Sequence, residues 1–402
     1  MKLKIKDRYF SIALFILFVI YMFFTVADLS TSKQSGFKDV DRSEVHRYVI
    51  AITGYLLVYV VFNIKKLKLQ QPLTSLILLA AWTILINALN DVSIWILLVR
   101  SNMAVLWCLS YIFFNRLRSK EGEGKSSIEI FSYILLLFYV LATIYYFFDM
   151  MVRLNRIPVL NVVYYEMALL PWVLIFNSGK NKKWIYLLSM LVVMFSMKRG
   201  AVIAMVLMLL ADSYINAKKA HSYKTFFRIV ATVFLFTVAI ILTDNLSGGF
   251  LSQRFSGEEL TEGSGRAEQY SIIWEYIKDG DLSELMFGRG TEKSSQILGL
   301  IVHNEWLYFL FCFGLVGLFI YASLIGSFIT KSVSELKKNS DLASACCTMT
   351  VLYFVLSMLS TTYNGYFGFW LFGFWGYLNA ELEIRQNCQK QDLNGVKANE
   401  TM

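Results

Sequence analysis

The chain has 402 residues, 56% of them hydrophobic and only 17% charged, with a mean hydropathy of +0.53. Soluble domains carry about 25% charged residues, so this composition excludes an ordinary water-soluble fold. The formal charge of +9 invites a nucleic-acid partner, which the placement of the charges excludes in turn.

Apolar runs long enough to cross a hydrocarbon layer of ~30 Å as helices recur along nearly the whole chain. Backbone groups in lipid must bond within their own segment, so these runs are helices and not strands. Spans are predicted at 9–27, 47–64, 72–90, 92–114, 128–150, 158–176, 184–197, 200–216, 225–243, 304–330, 342–361 and 366–382. The expected fold is an all-α polytopic membrane protein of about 12 transmembrane helices. The first run follows "MKLKIKDR" and precedes "TVA", which resembles a signal peptide; its orientation is the same under either reading.

A cytoplasmic N-terminus puts 1–8, 65–71, 115–127, 177–183, 217–228, 331–341 and 383–402 inside. These segments hold 24 of the 38 Lys and Arg residues, and cytoplasmic loops are where such enrichment belongs. The basic excess is thus a topology signal, and no nucleic-acid partner is expected. The chain then divides into helices 1–9 (1–243), an extracytoplasmic loop (244–302), helices 10–12 (303–382) and a cytoplasmic tail (383–402).

In chain order, Arg100 in "VSIWILLVRSNMAVLWC" and Glu166 in "PVLNVVYYEMALLPW" are charges set well inside their spans. By helical rise both lie ~12 Å from the outer end of their spans, which predicts a structural ion pair. Alternatively, Arg100 marks a broken helix and sits nearer the surface. Next comes "LLSMLVVMFSMKRGAVIAMVLMLLA" at 187–211, apolar except for Lys198 and Arg199. Residues 184–197 cover only ~21 Å as a helix, so the hairpin tip bearing these cations is expected at or below the outer surface. A cation at that level facing the bundle interior is a functional candidate by default.

The segment 244–302 contains five basic and ten acidic residues. Its "RAEQYSIIWEYIKDG" spaces Tyr270, Ile273, Trp274 and Ile277 as one apolar helix face, which must rest on the membrane surface or on the bundle. Arg254, Arg266 and Arg289 also lie here. Arginine offers a planar fork of donors that suits phosphate and keeps its charge, although charged loop residues more often pair with a neighbouring acid. The "DGD" at 279–281 reads as a turn at a helix stop. His303 precedes Asn304, a candidate helix cap. A helix N-terminus disfavours the protonated imidazole, leaving a neutral base able to take a proton from a hydroxyl; the plain alternative is an interfacial anchor. The glycines and aromatics of "YNGYFGFWLFGFWGY" suit close packing and an interfacial belt. The five cysteines, Cys108, Cys312, Cys346, Cys347 and Cys388, show neither disulfide nor metal spacing.

Three pieces in order, "FSMKRGA", "GRAEQYSIIW" and "GRG" followed by "HNEWLYFLFCFGLVGLFIY", resemble the O-antigen polymerase (Wzy) and O-antigen ligase (WaaL) superfamily. The topological likeness covers most of the chain and the motif likeness roughly 190–320. The resemblance implies a C-type glycosyltransferase-like fold and metal-independent transfer of glycan from an undecaprenyl diphosphate carrier, with no cofactor. The work would be done at the outer face of a bacterial cytoplasmic membrane. It implies His303, Arg266 and Arg199 as catalytic residues. Arg199 and Arg266, with Arg289 and Arg254 as secondary candidates, would bind the donor diphosphate. The first expectation is a polysaccharide polymerase joining lipid-linked repeat units, amid membrane lipids and with a chain-length regulator as a candidate partner. A ligase moving the glycan onto a lipid A core is the alternative, and a flippase of lipid-linked sugars the rival from another class.

Overall fold

A computed structural model of the chain describes residues 16–17, 19–21, 42–63, 69–90, 94–121, 127–153, 160–176, 181–246, 248–249, 266–298, 302–360, 362–363 and 365–400, and every regular element among them is helical. These are α1 (Arg42–Asn63), α2 (Leu73–Leu89), α3 (Ile94–Glu121), α4 (Ser127–Phe148), α5 (Val163–Phe176), α6 (Asn181–Phe195), α7 (Arg199–Ala220) and α8 (Tyr223–Leu246). Then come α9 (Arg266–Asp279), α10 (Leu282–Phe287), α11 (Gly290–Leu298), α12 (Glu305–Lys337), α13 (Ala343–Leu359) and α14 (Gly368–Glu400). Every predicted span from 47–64 onward falls on one of them. The first, 9–27, lies mostly outside the described residues. Four helical stretches, Leu97–Glu121, Ile128–Val152, Arg199–Ala220 and Glu305–Lys337, are long and apolar enough to cross a membrane.

The bundle is built around α5. Its residues Val163 to Leu174 are all buried, and a helix that is apolar on every side belongs in an interior. Around it stand α4, α6, α7, α13 and α14. The periphery shows the opposite pattern. Phe226, Phe227, Phe234 and Leu242 on α8, and Ile130, Leu137, Leu141 and Phe148 on α4, are more than half exposed, an apolar surface that suits lipid and not water.

The most extensive pairing is α3 with α14. Gly373 faces Ser110 and Phe114, and Gly376 faces the Tyr111 carbonyl, so small residues let the two backbones approach closely. The Ser110 hydroxyl donates to the Phe369 carbonyl at 2.6 Å and Asn115 Nδ2 to that of Gly376 at 3.1 Å. The aromatics of this stretch, from Tyr366 to Tyr377, are buried; they form core and not the expected interfacial belt. The helix also runs on past residue 382, so 383–400, within the expected cytoplasmic tail, is helical and continuous with it.

Polar contacts sort the two ends. At one end Lys182 pairs with Asp212 at 2.5 Å, Arg118 with Glu381 at 2.6 Å, and Lys219 with Asp341 at 3.4 Å. At the other, the Leu160 N–H donates to Ser196 O at 2.9 Å, Trp306 Nε1 to Ser357 Oγ at 3.1 Å, and the Tyr363 hydroxyl to Arg100 O at 3.0 Å. Each of these contacts joins residues that the alternation of spans assigns to one side.

One element departs sharply from its expected form. In a straight helix Glu305 and Tyr321 would be ~24 Å apart along the axis, yet the Tyr321 hydroxyl donates to the Glu305 carboxylate at 2.7 Å. The rings of Phe309 and Tyr321 stack at 4.3 Å. The cause is Gly314, at φ 66° and ψ −170°, a conformation essentially reserved for glycine. It folds the outer limb, 305–313, back against the inner limb, 315–337. The expected span 304–330 is therefore a re-entrant hairpin, and the inner limb alone covers ~34 Å. Two of the carbonyls around the break find outside donors: Trp82 Nε1 reaches Phe313 O at 2.9 Å and the Arg289 N–H reaches Phe311 O at 3.3 Å.

Candidate functional site

The fold-back decides where the chemistry sits. Glu305 is level with Tyr321, seven residues inward of Gly314, so the start of α12 lies ~10 Å below the apex of its own hairpin. Short helices deepen the same recess. The 15 residues of α6 cover only ~22 Å, and the turn after them is tied to the start of α5 by the Leu160–Ser196 bond.

In that turn Met197 holds φ 51° while 1% exposed, a left-handed residue that costs ~1–2 kcal/mol when it is not glycine. The turn aims the chain into α7. Lys198 Nζ stands 5.8 Å from the Tyr164 ring centroid, and half-buried Arg199 opens the helix. The N-cap residue is Lys198, whose side chain makes no capping bond, so the positive end of the α7 dipole and two cations share one spot. A methyl group on Gly200 would lie 3.0 Å from the Tyr164 hydroxyl and 3.6 Å from Leu359 Cβ, which seats the turn against the outer end of α13.

The chain just after His303 meets the same helix, where Trp306 bonds Ser357. His303 follows fully buried Val302, and Asn304 Oδ1 accepts from Leu307 N at 3.1 Å, the capping bond expected from sequence. Trp306 holds Ser357 of α13, and the Glu305 carboxylate accepts from Thr362 Oγ1 and, at 2.6 Å, from Tyr363 N. The Tyr270 hydroxyl of α9 donates to His303 O at 3.3 Å. Arg266 opens α9 one turn before Tyr270; its side chain, like the whole of Arg254, lies outside the described residues. Ile273 of α9 is fully buried and Tyr270 and Ile277 pack on the core, whereas Trp274 is 50% exposed. Of the two supports expected for this helix, it contacts the bundle, through α12.

Arg289 occupies a different place. Its guanidinium bonds Glu284 at 2.6 Å and lies over the rings of Tyr276 and Phe311, at 5.4 and 5.7 Å. This is the neighbouring-acid pairing that the sequence left open, and it locks α10 onto α12. The "DGD" is a turn between α9 and α10. Asp281 caps α10, and its bonds from Glu284 N at 2.7 Å and the Ser283 hydroxyl at 2.8 Å hold its carboxyl below the usual carboxylate range.

The expected Arg100–Glu166 ion pair is not formed among the described residues. Glu166 is fully buried with both carboxylate oxygens lacking a hydrogen-bond partner; the Ser189 side chain of α6 lies beside it. Arg100 sits on α3, which packs chiefly on α14, α2 and α1, and its carbonyl serves Tyr363. Helical rise matched the two depths but carried no information about which way each residue faced.

The structure thus seats the turn bearing Arg199 against Leu359 of α13 through Gly200, bonds Trp306, three residues after His303, to Ser357 of the same helix, and ties α9 to the His303 carbonyl. It adds Tyr164, Glu305, Thr362, Tyr363 and Tyr321, which the sequence did not single out. Only Glu305, a carboxylate opening an apolar helix, carried a readable signal. Among the described residues no three His, Cys, Asp or Glu side chains gather into a metal-binding group. Compared with known proteins, the chain matches no protein-family model and no curated protein.

Proposed function

We propose that this chain is a bacterial polysaccharide polymerase of the cytoplasmic membrane, with twelve spans and both termini cytoplasmic, that joins undecaprenyl-diphosphate-linked repeat units at its outer face. One observation supports the reading above the others: the cationic turn at the start of α7 packs on Leu359 of α13 through Gly200, two residues from the Ser357 that is bonded by Trp306, close after His303. The acceptor hydroxyl attacks the donor's anomeric carbon while its proton passes to the imidazole, whose ordinary titration lies near neutrality. The bond from that carbon to the diphosphate oxygen breaks, and the charge left on the carrier falls to Arg199, with Arg266, the first residue of α9, as the second cation of the proposal. Attack opposite the leaving group inverts the anomeric centre. Pre-placed donors in a water-poor recess are worth ~10²–10³ in rate each.

The test uses purified protein in detergent with lipid-linked donor, following chain length on a gel. Wild type extends the glycan; Arg199→Ala and His303→Ala each lower the rate at least ~10²-fold with normal yield. Full activity in both variants refutes the site. A deletion strain separates polymerase from ligase: single repeats still capping the core indicate the former, loss of all attached glycan the latter. One observation favours a second reading, transport of lipid-linked sugar. Glu166 is an unpaired buried carboxyl, and such groups inside a membrane often serve ion or proton coupling. Chain growth by a Glu166→Gln variant in detergent argues against it.

A further inference from the structure

The Glu305 carboxylate is the most heavily engaged acidic group among the described residues and takes no part in the chemistry above. It is 0% exposed, two residues from His303, and accepts three hydrogen bonds. Tyr321 Oη, at 2.7 Å, comes from the inner limb of α12. Thr362 Oγ1 and Tyr363 N, the latter at 2.6 Å, come from the connection between α13 and α14. Tyr363 in turn donates to Arg100 O at 3.0 Å on α3. The rest of the outer limb is held by the rings of Phe309, Phe313 and Tyr308 and by single hydrogen bonds at Trp306, Phe311 and Phe313; among the described residues of the limb, Glu305 is the side chain that joins three partners at once.

We infer that Glu305 is a positioning residue, whose three hydrogen bonds set the rotation of the re-entrant limb and so hold His303 at the α13 end of the recess. This inference rests on the polymerase reading. Hydrogen-bond chemistry makes a sharp distinction available. A glutamine keeps one carbonyl for the Tyr363 N–H, which can only donate, and turns its amide N–H groups toward Tyr321 and Thr362, whose hydroxyls can accept. All three contacts survive without the charge. Alanine loses all three and leaves a buried N–H unpaired.

Two measurements on full-length protein test it. In the chain-growth assay, Glu305→Ala should lower kcat at least ~10²-fold, the loss expected from a small misplacement of a catalytic group, with KM for the donor changed less than about threefold. Glu305→Gln should restore kcat to within about fivefold. A glutamine variant as inactive as alanine overturns positioning in favour of a role for the charge, and an active alanine variant overturns it outright. The second measurement needs no activity: His303→Cys is alkylated in intact cells by a membrane-impermeant maleimide and read by peptide mass. Labelling should be slow when Glu305 is intact or carries Glu305→Gln, and at least about fivefold faster with Glu305→Ala. Equal rates in all three backgrounds refute the anchor even if the protein proves not to be a polymerase; faster labelling with no chain growth in wild type retains the anchor and rejects the polymerase.

Discussion

At the scale of single residues, the cations of the "SMKRGA" turn owe their place to a backbone feature that no hydropathy scale reports. Met197 is left-handed and buried, and the carbonyl of its neighbour Ser196 is held by Leu160, so the turn cannot swing outward without breaking a buried bond. Glu166 illustrates the converse. Helical rise counted from residue 158 put it mid-span, whereas it lies in the first turn of α5, and its facing could not be read because a helix apolar on all sides gives no azimuth. A carboxyl left without partners in an apolar interior costs ~1–3 kcal/mol. Glu166→Met should therefore raise stability by about that amount, read as a higher midpoint of thermal unfolding in detergent. A fall of similar size would show that the carboxyl has a partner.

At the scale of elements, the break in α12 organises everything around it. "CFGLVG" read as an unbroken span because its hydropathy is continuous across Gly314, and one residue's φ changes the course of the chain without changing its composition. The "GRG" turn before it answers that break. Gly288, at φ 83°, lies backbone to backbone against Cys312 and Gly314, and a Cβ on Gly314 would strike Met286 O and the Gly288 N–H. Gly314→Ala should cost about 1–3 kcal/mol from conformation alone, and more from the clash. The expected readout is a lowered unfolding midpoint together with loss of the protection of α9, α10 and α11 from added protease. An alanine variant with wild-type stability would mean that the limbs do not fold back.

At the scale of the whole molecule, the positions of the helices were legible from hydropathy, and the grouping of contacts at each end follows the distribution of Lys and Arg. The low turn after α6 was legible too, from the shortness of 184–197; what sequence did not reveal was the fold-back of α12 at Gly314, which sets the level of Glu305 and of the residues just before it. The proposed twelve-span topology predicts that an alkaline phosphatase reporter joined after residue 260 is active and one joined after residue 339 is inactive; the reverse pattern would invert the molecule. The central claim, that the Arg199 turn and His303 border one diphosphate-binding recess, is tested most directly by photolabelling. A benzophenone-bearing polyprenyl diphosphate is irradiated with the purified protein and the adducts are mapped by mass spectrometry. The account predicts adducts within 196–201, 302–306 and 357–363, suppressed by excess unlabelled carrier and weakened by Arg199→Ala. Suppressible adducts confined to the opposite end of the bundle, at 217–228 or 331–341, would contradict it.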